Sequence, residues 1–148
     1  MIDFDKISKI KNKSQLNKFN IDKPIFLSNY LHHYLIMTNN LTGLKLSRFP
    51  IHKENNEGLQ GFHMSAKLSN ETNNYDILNY LIEEYPEYAN NINYFNESFL
   101  DMLDINDKII DLIKRNKKIK WLKLFTNIIE TESYKQCYLD KVFGMGSY

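Results

Sequence analysis

The chain has 148 residues, 43% hydrophobic and 25% charged, with a formal net charge of +1. That is one domain's worth of sequence with enough apolar side chains for a core, and a sequence pI near 7.8 falls short of the strongly basic footprint of a polyanion binder. The single cysteine, Cys137, excludes an internal disulfide and a thiolate metal cluster.

No window approaches the ~18 apolar residues of a membrane span. The opening MIDFDKISKIKNK lacks the apolar run of a signal peptide, so a soluble, cytoplasmic protein is expected. There are 19 Asn and only 2 Ala, and 17 of the 19 basic residues are Lys, which is the codon bias of an AT-rich genome before it is chemistry.

In chain order, residues 1–21 read as an N-terminal cap or flexible arm. PIFLSNYLHHYLIM (24–37) predicts a helix holding Leu27, Tyr30, Leu31, Tyr34 and Leu35. On it His32 and His33 face two directions, so at most one would join a site. NNYDILNYLIEEYPE (73–87) carries Ile77, Leu78, Leu81, Ile82 and Tyr85 on one helical stripe, with Asn74 as cap and Pro86 as stop. Two further short helices are predicted, over 108–114 and 118–130. Strand alternation is found nowhere. Short helices joined by short polar links suit a repeat better than a four-helix bundle.

The stretch NNEGLQGFHMSA (55–66) resembles the ankyrin repeat signature D-x-x-G-x-T-P-L-H-x-A-A. Gly58 takes the turn glycine, Phe62 the leucine, His63 the histidine, and Ser65-Ala66 the small pair. Gln60 stands for Thr and Gly61 for Pro, which implies a less rigid helix start. Ile77, Leu78, Leu81 and Ile82 fit the outer helix, and Ala89 to Asn93 the closing A-D-x-N. A fainter copy, NYFNESFLDML (93–103), puts Asn96 at the glycine, Ser98 at Thr, Leu100 at the leucine and Asp101 at the histidine. The two copies lie 38 residues apart, about five more than the ~33-residue ankyrin period. The surplus is assigned to LSNETNN (68–74), a polar bulge between helices 62–68 and 75–85. Leu31-His32 lies 31 residues before Phe62-His63, and Tyr138-Leu139-Asp140 echoes Phe99-Leu100-Asp101.

The resemblance implies an all-α ankyrin-like solenoid of about three degenerate helix-turn-helix repeats. They cover approximately 22–54, 55–92 and 93–130, with a C-terminal cap or further repeat at 131–148. Its style is similar to that of the divergent ankyrin proteins of large DNA viruses. It further implies a non-catalytic protein–protein interaction module. The positions matching the family's contact residues are Asn56, Glu57, Leu59, Lys67, Leu68, Tyr94, Phe95, Glu97, Ile105 and Asn106. Leu59, Tyr94 and Phe95 are expected to project to solvent along one edge, with the acids of 83–107 nearby. His63 is expected to hydrogen-bond backbone in the loops between repeats.

No catalytic constellation stands out. Metal sites want three or four ligands at spacings such as H-x-x-x-H or C-x-x-C, and neither occurs. Gly58 and Gly61 form G-x-x-G without a preceding strand or a following G-K-[ST], so no phosphate loop is expected. An enzyme, a metal and a cofactor are therefore not expected.

Charge is sorted along the chain. Residues 71–107 hold nine acids and no Lys or Arg, and 108–123 hold seven basic residues and one acid. The basic segment KRNKKIKWLKLF (114–125) supports a second reading, a small helical binder of nucleic acid or an anionic surface. Against it stand Ile119, Leu122 and Phe125, which would bury one face and leave the lysines solvated. A third reading makes the chain the N-terminal scaffold of a longer ankyrin protein.

Overall fold

A computed structural model describes residues 3–104, 106–108 and 111. Among them are α1 (Phe4–Ser8), α2 (Lys13–Leu16), α3 (Leu31–Met37), α4 (Leu41–Leu44), α5 (Gly61–Thr72), α6 (Asp76–Glu84) and α7 (Phe99–Met102). A 3₁₀ turn, Pro86–Tyr88, follows α6. There is no strand among the described residues, only an isolated bridge between Phe26 and Asn29. The expected all-α class is correct.

Helix α5 packs on α3 on one side and α7 on the other, while α4 folds back on α3 and α6 on α5. Sequence decides this arrangement through burial. Ile77, Leu78, Leu81 and Ile82 of α6 and Tyr85 after it are all buried, as their spacing predicts. Each such aliphatic side chain contributes about 1.5–3 kcal/mol when taken from water. The rings of Phe62 and Phe99 meet at 5.3 Å where α5 touches α7. Ser65 and Ala66 are fully buried, which leaves room for the neighbouring helix.

Three expectations need correction. Residues 24–30 are not helical. Leu27 and Ser28 have φ of 51° and 61°, and Asn29 N donates to Phe26 O at 2.9 Å, so the chain reverses before α3 begins. Leu27 is therefore exposed at the turn and not in the core.

The surplus residues 68–74 are not a bulge, since α5 runs on to Thr72. Ser69 and Thr72 hydroxyls bond back to the Ser65 and Leu68 carbonyls, each at 2.8 Å, and Asn73 closes the helix at φ 57°. The polar letters continue the helix, with Ser69 buried and Glu71 and Thr72 exposed, and only 73–75 link α5 to α6.

The third concerns His32 and His33, which do not face two directions. Both are buried, with ring centroids 4.1 Å apart.

Residues 3–21 pack against α3 and the start of α4. Ile7, Ile10 and Leu16 are buried, and the Asn40 amide donates to the carbonyls of Ile7 and Ile10 at 2.9 Å each.

Candidate interaction surface

Two five-residue turns share one hydrogen-bond pattern. In the first, Asn55 N donates to Leu59 O at 3.1 Å, and Asn55 Oδ1 accepts from the amides of Glu57 and Leu59 at 2.9 and 3.1 Å. The second repeats this with Asn93: its N donates to Glu97 O at 2.9 Å, and its Oδ1 accepts from Phe95 and Glu97 at 2.9 and 3.0 Å. The fourth residue has positive φ in both, 78° at Gly58 and 61° at Asn96, where glycine and asparagine are best tolerated.

A histidine fastens each turn to the helix before it. Tyr30 N donates to His33 Nδ1 at 2.9 Å, which leaves the ring proton on Nε2 to be donated to Leu59 O, also at 2.9 Å. Gln60 N, His63 Nδ1, His63 Nε2 and Glu97 O repeat the arrangement at 3.4 and 2.9 Å. The histidine matching His63 is thus His33, 30 residues earlier, and not His32. His32 occupies the position of Phe62, in the core. In α7 the Asp101 carboxylate takes over the helix-start role, accepting from Ser98 N at 2.9 Å.

Burial pushes the imidazoles down. His33 falls to about 4, and the carbonyl contacts at Leu59 and Lys53 oppose this only in part. His32 lies well below the ordinary range, first through burial and then through His33. His63 is lowered by burial too, but the Glu97 backbone and the carboxylates of Glu97, Glu54 and Asp101 counter it.

The two departures at the start of α5 have reasons. Gly61 N donates to Ile51 O at 2.8 Å, and a Cβ on Gly61 would stand 2.5 Å from Ile51 Cγ2. The Gln60 side chain donates to Ile92 O and accepts from Asn91, at 3.3 and 3.0 Å. The helix start is pinned from both sides, contrary to the looseness expected of it.

The turn tips form one edge. Asn56 N reaches Leu27 O at 3.3 Å, and the Tyr94 ring covers Gly58, so three successive tips touch in sequence. Tyr94 and Phe95 are 66% and 76% exposed; Phe26 and Leu27, at the other end, are 58% and 57% exposed. Behind the tips runs a groove of about 260 Å³ lined by Asn29, Met37, Asn55, Glu57, Leu59, Met64, Lys67, Leu68 and Glu71.

Of the ten positions singled out from sequence, Glu57, Leu59, Lys67 and Leu68 come together in this groove. Leu59 does not project to solvent. It is only 6% exposed, because its backbone is tied to both Asn55 and His33. Asn56, Tyr94 and Phe95 lie on the exposed tips, and Glu97 is half-buried. Asn106 donates to the Tyr75 hydroxyl at 2.8 Å. Ile105, Cys137, the basic segment 114–125 and the expected repeat boundaries beyond 111 lie outside the described residues.

Sequence reasoning missed Phe26, Leu27, Met37, Met64 and Glu71. Counting back 30 residues from Asn55 and His63 would have found the first pair, because Ile25 N donates to Asn29 O just as Asn55 N does to Leu59 O. Among the described residues, no three ligating side chains gather as a metal site would need. No helix among them is long and apolar enough to cross a membrane. No family model, curated protein or solved structure matches the chain.

Proposed function

We propose that the chain is an ankyrin-like stack that binds another protein along its turn tips and the groove behind them. The observation carrying this reading is the doubled joint: His33 on Leu59 O and His63 on Glu97 O, each 2.9 Å, each fixing a turn of the same pattern. Such joints keep loops in one register, and a rigid row of tips is what repeat proteins offer to partners. Exposed aromatics at its end supply anchors of the kind that dominate interface energetics. Two methionines in the groove add a surface that adapts to an apolar side chain.

The test is capture from lysate of the native host cell by the intact protein and by the Tyr94→Ala/Phe95→Ala variant. A protein recovered by the first and lost with the second, at unchanged helicity by circular dichroism, supports the reading. Equal recovery by both sends attention to segment 114–125, whose binding to nucleic acid would weaken steeply with salt.

A further inference from the structure

His32 is an unusual occupant of a helix core. It is fully buried, and neither ring nitrogen has a hydrogen-bond partner among the described residues. Its ring forms a cluster of three with that of His33, at 4.1 Å, and that of Tyr30, stacked at 5.7 Å. His52, on the segment facing α3, is the third imidazole acting on it, and its own Nδ1 is also buried without a partner.

Protonation here is compensated only by backbone carbonyls, and only in part. A proton on His33 must go to Nδ1, which already accepts from Tyr30 N; the two N–H groups would then point at each other. A proton on His32 has only the Lys53 backbone to favour it, with no partner at hydrogen-bond distance, and the second charge would sit one ring away. The groups acting on His32 are His33, His52 and the Lys53 backbone; those acting on His33 are the Leu59 and Lys53 backbones. No carboxylate from α1, α4 or α5 is among them. The other joint differs: Glu97, Glu54 and Asp101 all favour a charged His63.

We propose that the joint between α3 and segment 49–60 is opened by acid. Uptake of protons by the His32–His33 pair releases the Asn55–Leu59 turn from α3, while the joint between α5 and the 93–97 turn stays closed. The open form exposes both rings to water and binds protons near the ordinary histidine value of 6.5. The closed form does so only well below it. Opening therefore becomes easier as pH falls through 6.5. With two protons taken up, the opening equilibrium rises by up to about a hundredfold per pH unit. The groove crosses this joint, with Asn29 and Met37 on one side and the remaining lining residues on the other. If the groove is the binding surface proposed above, acid would release its partner.

Amide hydrogen exchange of the full chain, resolved by residue from pH 7.5 to 4.5 and corrected for intrinsic chemistry, tests the proposal without any partner. The amides of Tyr30 and Asn56, bonded to His33 Nδ1 and to Leu27 O, should lose protection steeply below pH 6.5, and that of Gln60, bonded to His63 Nδ1, much less. His32→Leu removes one proton from the count and should reduce the dependence to about tenfold per unit. Should that variant not fold, ring-proton titration of the wild-type protein by NMR decides. His32 and His33 titrating near 6.5 with joint amides still protected would overturn the proposal. So would equal loss of protection at the two joints.

Discussion

The ring of Tyr94 lies across the backbone of Gly58, so closely that a Cβ on the glycine would stand 2.5 Å from the Tyr94 Cγ. Neighbouring tips are thus stacked and not merely side by side. Gly58→Ala meets two penalties, a φ of 78° and this ring, and should cost about 2–4 kcal/mol, of which about 1–2 is the left-handed backbone. Adding Tyr94→Ala should return the steric part but not the backbone part. Urea unfolding of the double-mutant cycle measures the split, and strict additivity would show that ring and glycine do not touch.

Gly61→Pro offers a sharper test, because it restores the residue of the ankyrin signature. Proline would remove the donor that Ile51 O accepts from and drive ring carbon into Ile51. The variant should lose about 3 kcal/mol or more. A gain in thermal stability would mean that residues 49–52 can withdraw at little cost.

His63→Ala strands both the Gln60 amide and the Glu97 carbonyl, which its ring holds at 3.4 and 2.9 Å. The expected loss is about 1–3 kcal/mol in chemical denaturation. A variant as stable as the parent would remove the histidine joint from the account of the stack.

Tyr85 fastens the outer layer. Its hydroxyl accepts from Phe49 N at 2.9 Å, and the Arg48 guanidinium lies 4.3 Å from the ring centroid while also bonding Glu84 O and Glu87. Tyr85→Phe keeps the ring and removes the acceptor, so a loss of about 1–2 kcal/mol is expected in thermal or urea unfolding. Arg48→Ala, at an exposed position, should cost less than about 1 kcal/mol. The reverse order would place the stabilisation in the cation and not in the buried amide.

Global stability should follow the imidazoles. The native-state values of His32, His33 and His63 are all lowered, so the unfolded chain binds more protons below about 6.5. The stability they contribute is present above that pH and is lost towards the folded value of about 4 that burial sets for His33. Urea midpoints at pH 7.5, 6, 5 and 4.5 should fall in that order. A midpoint independent of pH over this range would contradict the burial of all three rings.

What the letters revealed follows from how local each determinant is. The α6 stripe and the glycine turn rest on residues a few positions apart, and each was readable, whereas the His63 joint, which reaches Glu97 O, was expected only from the resemblance. The length of α5 was not, because its last turn is held by Ser and Thr hydroxyls bonding their own helix and by Asn70, which reaches Met102 O at 2.8 Å. Those letters look like loop until their partners are known. Leu27 misled in the opposite way, as an apolar residue in helical register whose backbone turns left-handed. The burial of Leu59 was hidden because its neighbours come from α3 and the turn around it.

Asp101 has a consequence for anything that meets the start of α7. An imidazole there would bring an N–H, as His33 and His63 do to the turns that follow them. An ionised carboxylate can only receive. A contact made through Asp101 would therefore have the opposite polarity to those of His33 and His63. An element docking on that side chain would have to offer a backbone amide, a hydroxyl or a cation, where the turns at Leu59 and Glu97 offer a bare carbonyl oxygen.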